Sequence, residues 1–262
     1  MGIFGRIDTF ITWFDGVVWG LPLIILILVT GIFLTVRLGL LQVRYLGKAL
    51  KFMVKNEEDG HGEVTSFGAL CTALSATIGT GNIVGVATAI SAGGPGALFW
   101  MILTAFLGMA TKYSEGLLAV KYRTIDEDGH VLGGPFYYIE NGMGVKFRWL
   151  AKIFAFFGAG VGLFGIGTFT QVNGISSAVR NFFDPNMAHT VALFGNDYSW
   201  ATVISCLVLT VCVGMVVLGG IKRIAKVSEI VVPFMAVIYI TISLLLLILN
   251  AGKIPAAVAE IV

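Results

Sequence analysis

The sequence has 262 residues and a net charge of +2, with 57% hydrophobic but only 12% charged residues. In soluble domains about a quarter of the residues are charged. The composition therefore excludes an ordinary water-soluble fold and predicts an all-α integral membrane protein.

Six apolar segments are long enough to cross a bilayer, a distance that takes about 20 helical residues. They span residues 16–36, 64–90, 97–120, 150–179, 200–218 and 227–249. We expect each segment to form one transmembrane helix. Residues 44–55 combine basic side chains with leucines and a phenylalanine, a pattern that predicts an amphipathic helix along the membrane surface.

The basic residues predict the orientation of these helices. Of the 17 Lys and Arg residues, 13 lie in the loops after the first, third and fifth spans, and only 3 lie in the segments on the other side. Cytoplasmic loops carry the excess of positive charge. We therefore expect a multi-pass protein of the cytoplasmic membrane with its N-terminus outside.

The second predicted span contains a poor helix interior. Residues 75–85 are SATIGTGNIVG, and each glycine costs about 1 kcal/mol relative to alanine inside a helix. A helix broken here would leave N–H and C=O groups unpaired in the membrane, where only protein, water or a ligand can satisfy them. Free N–H groups suit an anion, and free C=O groups suit a cation. An amino acid bound together with sodium presents both kinds of charge. The alternative is a glycine-rich seam that only packs closely against a neighbouring helix.

The next segment carries a longer pattern. Residues 93–108 are GGPGALFWMILTAFLG, and related segments are GTGNI at 79–83, GGPFYYI at 133–139 and TFTQVN at 168–173. In this order the segments resemble the alanine or glycine:cation symporter family, the sodium:alanine symporters. The family pattern usually has a second tryptophan where this chain has Ile102. The resemblance covers essentially the whole chain.

The resemblance implies a fold similar to that of the bacterial leucine transporter, with two inverted five-helix repeats and an extra helix before the first. Residues 1–60 would then form the extra helix and the amphipathic segment. Residues 61–253 would form the first repeat, and residues 254–262 would begin the connection to a second. Because family members are considerably longer than this chain, we expect a fragment whose partner, the C-terminal repeat, is missing.

The resemblance also implies roles for the residues around the expected break. The N–H groups of Thr80 and Gly81 would receive the substrate carboxylate, and the carbonyl of Thr77 would accept from the substrate ammonium. Carbonyls of Ser75 and Ile78 would supply part of a sodium site. The implied substrate-binding residues are Thr77, Ile78, Gly79, Thr80, Gly81, Asn82, Phe169 and Gln171.

Three polar side chains have an alternative structural role. Asn82 could bind the substrate or the ion through its amide oxygen, or it could cap the outer half of the broken helix. By resemblance, Gln171 would reach the substrate carboxylate, and Phe169 would line the pocket. Hydrogen bonding between helices is the alternative for Gln171 and for Asn173.

The charged residues bear on the coupling ion. No Asp, Glu, Lys, Arg or His lies at the predicted centre of a span, whereas proton relays in membranes normally use carboxylates. This favours sodium over protons, and we expect no organic cofactor. Lys112 and Glu115 should pair with each other on one helix face. Glu229 should join Lys226 and Arg223 in a charge cluster at the membrane surface.

The sequence thus predicts sodium-coupled symport of a small neutral amino acid, alanine or glycine, by alternating access. An intramembrane enzyme is not expected, because neither a nucleophile–base pair nor a metal motif such as HExxH occurs. A non-transporting scaffold, a passive channel and a carrier coupled to protons remain as alternatives.

Overall fold

The computed structural model describes residues 3–54, 64–165, 167–193 and 195–261. These residues are helical apart from two short hairpins and the connecting turns. The helices, in chain order, are α1 Ile3–Val18, α2 Leu21–Arg37, α3 Leu41–Arg44, α4 Leu46–Val54, α5 Ser66–Thr77, α6 Val84–Gly93, α7 Ala97–Lys121, α8 Pro135–Met143, α9 Arg148–Leu163, α10 Thr168–Phe183, α11 Trp200–Val217, α12 Gly220–Leu249 and α13 Ile254–Ile261.

The two hairpins are antiparallel and lie in connections between helices. Strands β1 (Thr124–Ile125) and β2 (Val131–Leu132) join α7 to α8. Strands β3 (Thr190–Leu193) and β4 (Asn196–Ser199) join α10 to α11. The sequence analysis did not predict either hairpin.

The described residues contain five stretches long and apolar enough to cross a membrane, and the α5–α6 pair makes a sixth if counted as one span. This confirms a helical membrane protein with five or six candidate spans. The first stretch differs from the prediction, because it starts at Gly5 and combines α1 with α2. The hydropathy pattern identified only the second part of this stretch, because Arg6, Asp8 and Asp15 lower the mean hydropathy of the first helix.

The fourth predicted span, residues 150–179, is two helices rather than one. Helix α9 ends at Leu163 and α10 begins at Thr168. Gly165 and Gly167 between them have φ angles of 61° and 90°, which belong to the left-handed region that favours glycine. The glycines of this span therefore end a helix, whereas the sequence analysis expected a continuous one.

The amphipathic segment forms helix α4, which covers residues 46–54 of the predicted 44–55. Its expected last residue, Lys55, and the boundary expected between residues 60 and 61 lie outside the described residues.

The helices meet through small residues and leave much apolar surface uncovered. The buried apolar residues are Cys71, Ala110, Ala151, Ala201, Ala225 and Val232. Gly31 on α2 allows close approach to α7, because a Cβ there would lie 2.9 Å from the Cβ of Leu107. The accessible area is 19914 Å², against about 11,000 Å² for a compact soluble protein of this mass. The uncovered faces suit contact with lipid or with further protein.

Two packing relationships position the break in the second span. Helix α5 packs along α12 over a longer stretch than any other pair of described helices. The short turn after α5 packs against α10, which also contacts α11. The break is therefore held from two sides.

Candidate functional site

The second span is broken where its glycines predict. Helix α5 closes with the N–H of Ile78 donating to the carbonyl of Leu74 at 2.7 Å. Ile78 and Gly79 are extended, a single 3₁₀ turn covers Thr80–Asn82, and α6 then begins at Val84. The two half-helices are bent by 65°. The alternative of an unbroken helix that only packs closely through its glycines is therefore wrong.

The hydrogen bonds of the break do not continue the helix. The N–H of Gly79 donates to Oδ1 of Asn82 at 3.1 Å, and the N–H of Asn82 donates to the carbonyl of Gly79 at 3.1 Å. The N–H of Thr80 donates to Oε1 of Gln171 at 2.9 Å. None of these donors returns to the carbonyls that end α5, as each would in a continuous helix. The carbonyls of Ser75, Ala76 and Ile78 accept no hydrogen bond from another described residue, so they can accept from a ligand.

The side chain of Asn82 makes a hydrogen bond within the turn that connects the two half-helices. Because its side chain accepts from Gly79, it satisfies a donor of the connecting turn. Helix α6 begins two residues later with Ile83 at its N-cap, where no side-chain hydrogen bond is made. Asn82 therefore stabilises the shape of the break and does not cap α6 as the sequence analysis had considered.

Gln171 is the side chain that α10 brings to the break. It lies in the first turn of α10, where its N–H donates to the carbonyl of Gly167 at 3.2 Å. Its Oε1 accepts from both the N–H and the hydroxyl of Thr80, each at 2.9 Å. A Cβ on Gly79 would lie 2.6 Å from Nε2 of Gln171. Glycine at 79 is therefore required for this side chain to lie against the backbone.

Gly174 provides a second close approach, which the sequence analysis missed. A Cβ at this position of α10 would lie 2.7 Å from Cγ2 of Thr80. Thr80 is β-branched and stiff about χ1, so it has little freedom to move aside. The only sequence signal was a glycine inside a helix, three residues after Gln171.

Three other predicted site residues are Ser75, Thr77 and Phe169. The hydroxyls of Ser75 and Thr77 donate within α5, to the carbonyls of Thr72 and Ala73, both at 2.7 Å. Phe169 is 76% exposed, and because it is two residues from Gln171 the two side chains do not share a helix face. Its role as a pocket residue stays a prediction.

The backbone at the break has N–H donors that suit an anion and carbonyl acceptors that suit a cation. The N–H groups of Thr80 and Gly81 suit an anion, and among the described residues Gly81 makes no N–H hydrogen bond. The carbonyls at the end of α5 suit a hard cation or an ammonium group, which bind through oxygen ligands. An arrangement of this kind can hold a zwitterion together with a monovalent cation.

The charged pair that the sequence predicted on α7 is formed. Lys112 Nζ pairs with Glu115 Oε2 at 3.0 Å on the exposed face of α7, as expected. Within the described ranges, no group of three His, Cys, Asp or Glu residues could hold a metal ion. At the break itself, the backbone carbonyls and the side-chain oxygens of Asn82, Gln171 and Thr80 are oxygen atoms that could bind a cation.

A buried carboxylate lies in the loop between α10 and α11. Asp184 is 4% exposed, its Oδ2 accepts from the Ser199 hydroxyl at 2.6 Å, and its Oδ1 accepts from the N–H of Ala188 at 2.8 Å. The Ser199 hydrogen bond is the main cause that lowers the pKa of Asp184, and bonds from Ala188 and His189 act the same way. This cluster fixes β4 and the start of α11, and it was not predicted from the sequence.

Comparison with known proteins identifies relatives over nearly the whole chain. Residues 5–262 match the model of the sodium:alanine symporter family. An uncharacterized transporter of Haemophilus influenzae is 52% identical over 98% of this chain and 52% of its own length. The sodium/alanine symporter AgcS of Methanococcus maripaludis is 48% identical over 93% of this chain and 51% of its own.

A more distant relative, the amino-acid carrier protein AlsT of Bacillus subtilis, is 36% identical over 88% of this chain and 46% of its own length. The chain thus spans about half the length of the curated relatives it matches.

Proposed function

The chain belongs to the sodium:alanine symporter family, and on that premise we propose that it takes part in sodium-coupled symport of a small neutral amino acid, alanine or glycine. The family consists of transporters rather than enzymes. The protein acts in the cytoplasmic membrane, with its N-terminus outside as the basic loops indicate. The activity of the whole relatives is proposed for a chain that spans about half of their length.

The observation that carries the proposal is the separation of backbone donors and acceptors at the break. Donors of Thr80 and Gly81 open the outer side, and the carbonyls that end α5 lie on the inner side. A zwitterionic amino acid presents a carboxylate and an ammonium group, so it can use both sides at once. Backbone groups at a membrane-depth break need such a partner.

Each predicted site residue has a role in this proposal. The N–H groups of Thr80 and Gly81 bind the carboxylate, with Gln171 beside them, and the carbonyl of Thr77 accepts from the ammonium group. Carbonyls of Ser75 and Ile78 hold the sodium ion. Gly79 and Asn82 shape the segment, and Phe169 lines the pocket.

We propose the leucine-transporter fold as the architecture that carries this function. Residues 61–253 form its first repeat, and alternating access moves the inner half-helix α5 relative to α6. The 65° bend between the two half-helices supports a hinge at the break.

One experiment distinguishes the three alternative functions, which are a proton-coupled carrier, a passive channel and a non-transporting scaffold. The purified protein is reconstituted into liposomes, and uptake of labelled alanine is measured with and without an inward sodium gradient. We expect uptake that rises with the gradient, is reduced by excess glycine and is absent from protein-free liposomes.

Uptake that depends on a proton gradient and ignores sodium would support proton coupling instead. Equilibration without coupling to either gradient would support a passive channel. The absence of any uptake would contradict transport and leave the scaffold function.

A further inference from the structure

The carboxylate of Glu229, on α12, contacts the first turn of α5. Oε1 of Glu229 accepts from the hydroxyl of Thr65 at 2.9 Å, and a Cβ on Gly68 would lie 2.5 Å from the same oxygen. The sequence analysis expected Glu229 to join Lys226 and Arg223, and this is wrong. Arg223 donates to the carbonyl of Met215 at 3.1 Å, and within the described part of the chain neither basic residue pairs with Glu229.

Thr65 links this carboxylate to the start of the helix. Thr65 is the N-cap of α5, and its Oγ1 accepts from the N–H of Gly68 at 2.9 Å. The same hydroxyl donates to Glu229. Because the N-terminus of a helix carries a partial positive charge, a carboxylate there is favoured. Glu229 is thus held by a charge-assisted hydrogen bond and by the helix dipole together.

The contact lies at the end of α5 opposite the break. Twelve residues separate Thr65 from Thr77, which corresponds to about 18 Å along a helix. A small opening between Thr65 and Glu229 therefore tilts the whole inner half-helix about the extended residues Ile78 and Gly79. The same tilt changes the position of the carbonyls that end α5.

We propose that Glu229 is a latch residue, which holds the inner half-helix closed against α12 and must release Thr65 when that half-helix moves. This inference rests on the proposed function, since alternating access is what requires α5 to move. Glu229 is a positioning residue, because it acts through α5 and does not touch the cargo. Gly68 is part of the latch, since a side chain there would exclude the carboxylate.

Cys71 is a native reporter of this movement. It lies on α5 three residues after Gly68, so it shares the face that meets Glu229, and it is 1% exposed. Tilting of α5 away from α12 would expose its thiol. The two other cysteines, Cys206 and Cys212, lie on α11 and can be replaced by serine.

The experiment measures the rate of Cys71 labelling by N-ethylmaleimide in the reconstituted protein with Cys206→Ser and Cys212→Ser. We expect Glu229→Ala to raise this rate about tenfold, as loss of a hydrogen bond to a charged group allows. Gly68→Ala should raise it in the same direction. Gly68→Ala keeps the charge of Glu229 near the thiol, so faster labelling in that variant reports displacement of α5 and not the loss of that charge.

The matched control is Glu115→Gln, which removes an exposed carboxylate on α7 and should leave the labelling rate unchanged. Thermal unfolding of each variant shows whether it is folded, and Gly68→Ala decides the outcome if Glu229→Ala does not fold. Unchanged labelling in the folded variants would overturn the latch.

The labelling assay needs neither cargo nor transport, so it separates the two proposals. Faster labelling in a protein that takes up no alanine would keep the latch and remove the proposed function. Sodium-driven uptake with unchanged labelling in the Glu229→Ala and Gly68→Ala variants would keep the function and remove the latch.

Discussion

The side-chain oxygen of Gln171 accepts two hydrogen bonds from Thr80, one from its N–H and one from its hydroxyl, each 2.9 Å long. A neutral amide oxygen thereby occupies the Thr80 N–H, one of the two N–H donors that we propose for the cargo carboxylate. If the cargo carboxylate binds as proposed, the Gln171 side chain would rotate away from Thr80, and its Nε2 could then donate to the carboxylate.

Gln171→Glu tests this competition. A carboxylate at this position makes the same two bonds to Thr80, and charge-assisted bonds are roughly twice as strong as neutral ones. We expect the apparent KM for alanine to rise by about tenfold, the factor that corresponds to 1.4 kcal/mol. Asn196→Asp, the same change on the exposed hairpin strand β4, is the control. An unchanged KM in Gln171→Glu would contradict the role of Gln171.

Gly79→Ala tests the close approach of Gln171 to the backbone. The φ of Gly79 is −145°, which alanine adopts without strain, so the effect comes only from the Cβ that would lie 2.6 Å from Nε2. The Cβ meets only the flexible amide end of Gln171, which can move aside but then loses its hydrogen bonds to Thr80 and its place beside the cargo, so we expect uptake to fall several-fold.

Gly85→Ala is the matched control for this variant. A Cβ on Gly85 meets nothing within 4 Å, and uptake should stay within about twofold of the parent, as for most uncrowded surface sites. An equal loss of uptake in Gly79→Ala and Gly85→Ala would mean that transport depends on helix flexibility and not on the contact with Gln171.

Glu115→Gln tests the expectation that no carboxylate relays protons. The Lys112–Glu115 pair has side chains that are 73% and 43% exposed, and exposed pairs contribute about 0–1 kcal/mol. We therefore expect uptake to change by less than about twofold and to keep its dependence on sodium between pH 6 and 8. Loss of uptake, or a new dependence on pH, would assign Glu115 a part in coupling.

Asp184→Asn tests the cluster that fixes the loop between α10 and α11. The folded-state pKa of Asp184 is lowered, so its charge stabilises the fold at pH values above its unfolded pKa. That stabilisation is lost as pH falls through the folded pKa. We expect the midpoint of thermal unfolding to fall in Asp184→Asn at neutral pH.

The difference between the parent and Asp184→Asn should shrink in acid, because the parent loses the same charge there. Asp197→Asn, which removes an exposed carboxylate from the same hairpin, should change the midpoint less. A constant difference between parent and Asp184→Asn down to pH 3 would show that the charge is not what stabilises the loop.

Hydropathy and glycine content predicted the parts of the fold that depend on local chemistry. The apolar segments and the break after Thr77 follow from residues near each other in sequence, since lipid requires helices and glycine weakens them. The second break, at Gly165 and Gly167, carried the same signal. It was missed because the surrounding apolar run is as long as a span.

Contacts between distant segments could not be predicted in this way. Glu229 has Lys226 and Arg223 on its own helix, so the sequence indicated an ionic cluster, whereas tertiary packing brings Thr65 to it. Asp184 and Ser199 are fifteen residues apart, and no periodicity links them. The contact of Gln171 with Thr80 spans 91 residues, and only the family resemblance placed both in one site.

Hydrogen–deuterium exchange at residues 78–83 tests the central claim most directly, because it measures the backbone donors of the break themselves. We predict that sodium and alanine together slow the exchange of the Gly81 N–H, while exchange in the β3–β4 hairpin stays unchanged. Exchange at these residues that is the same with and without both solutes, in a protein that binds alanine, would show that the cargo lies elsewhere.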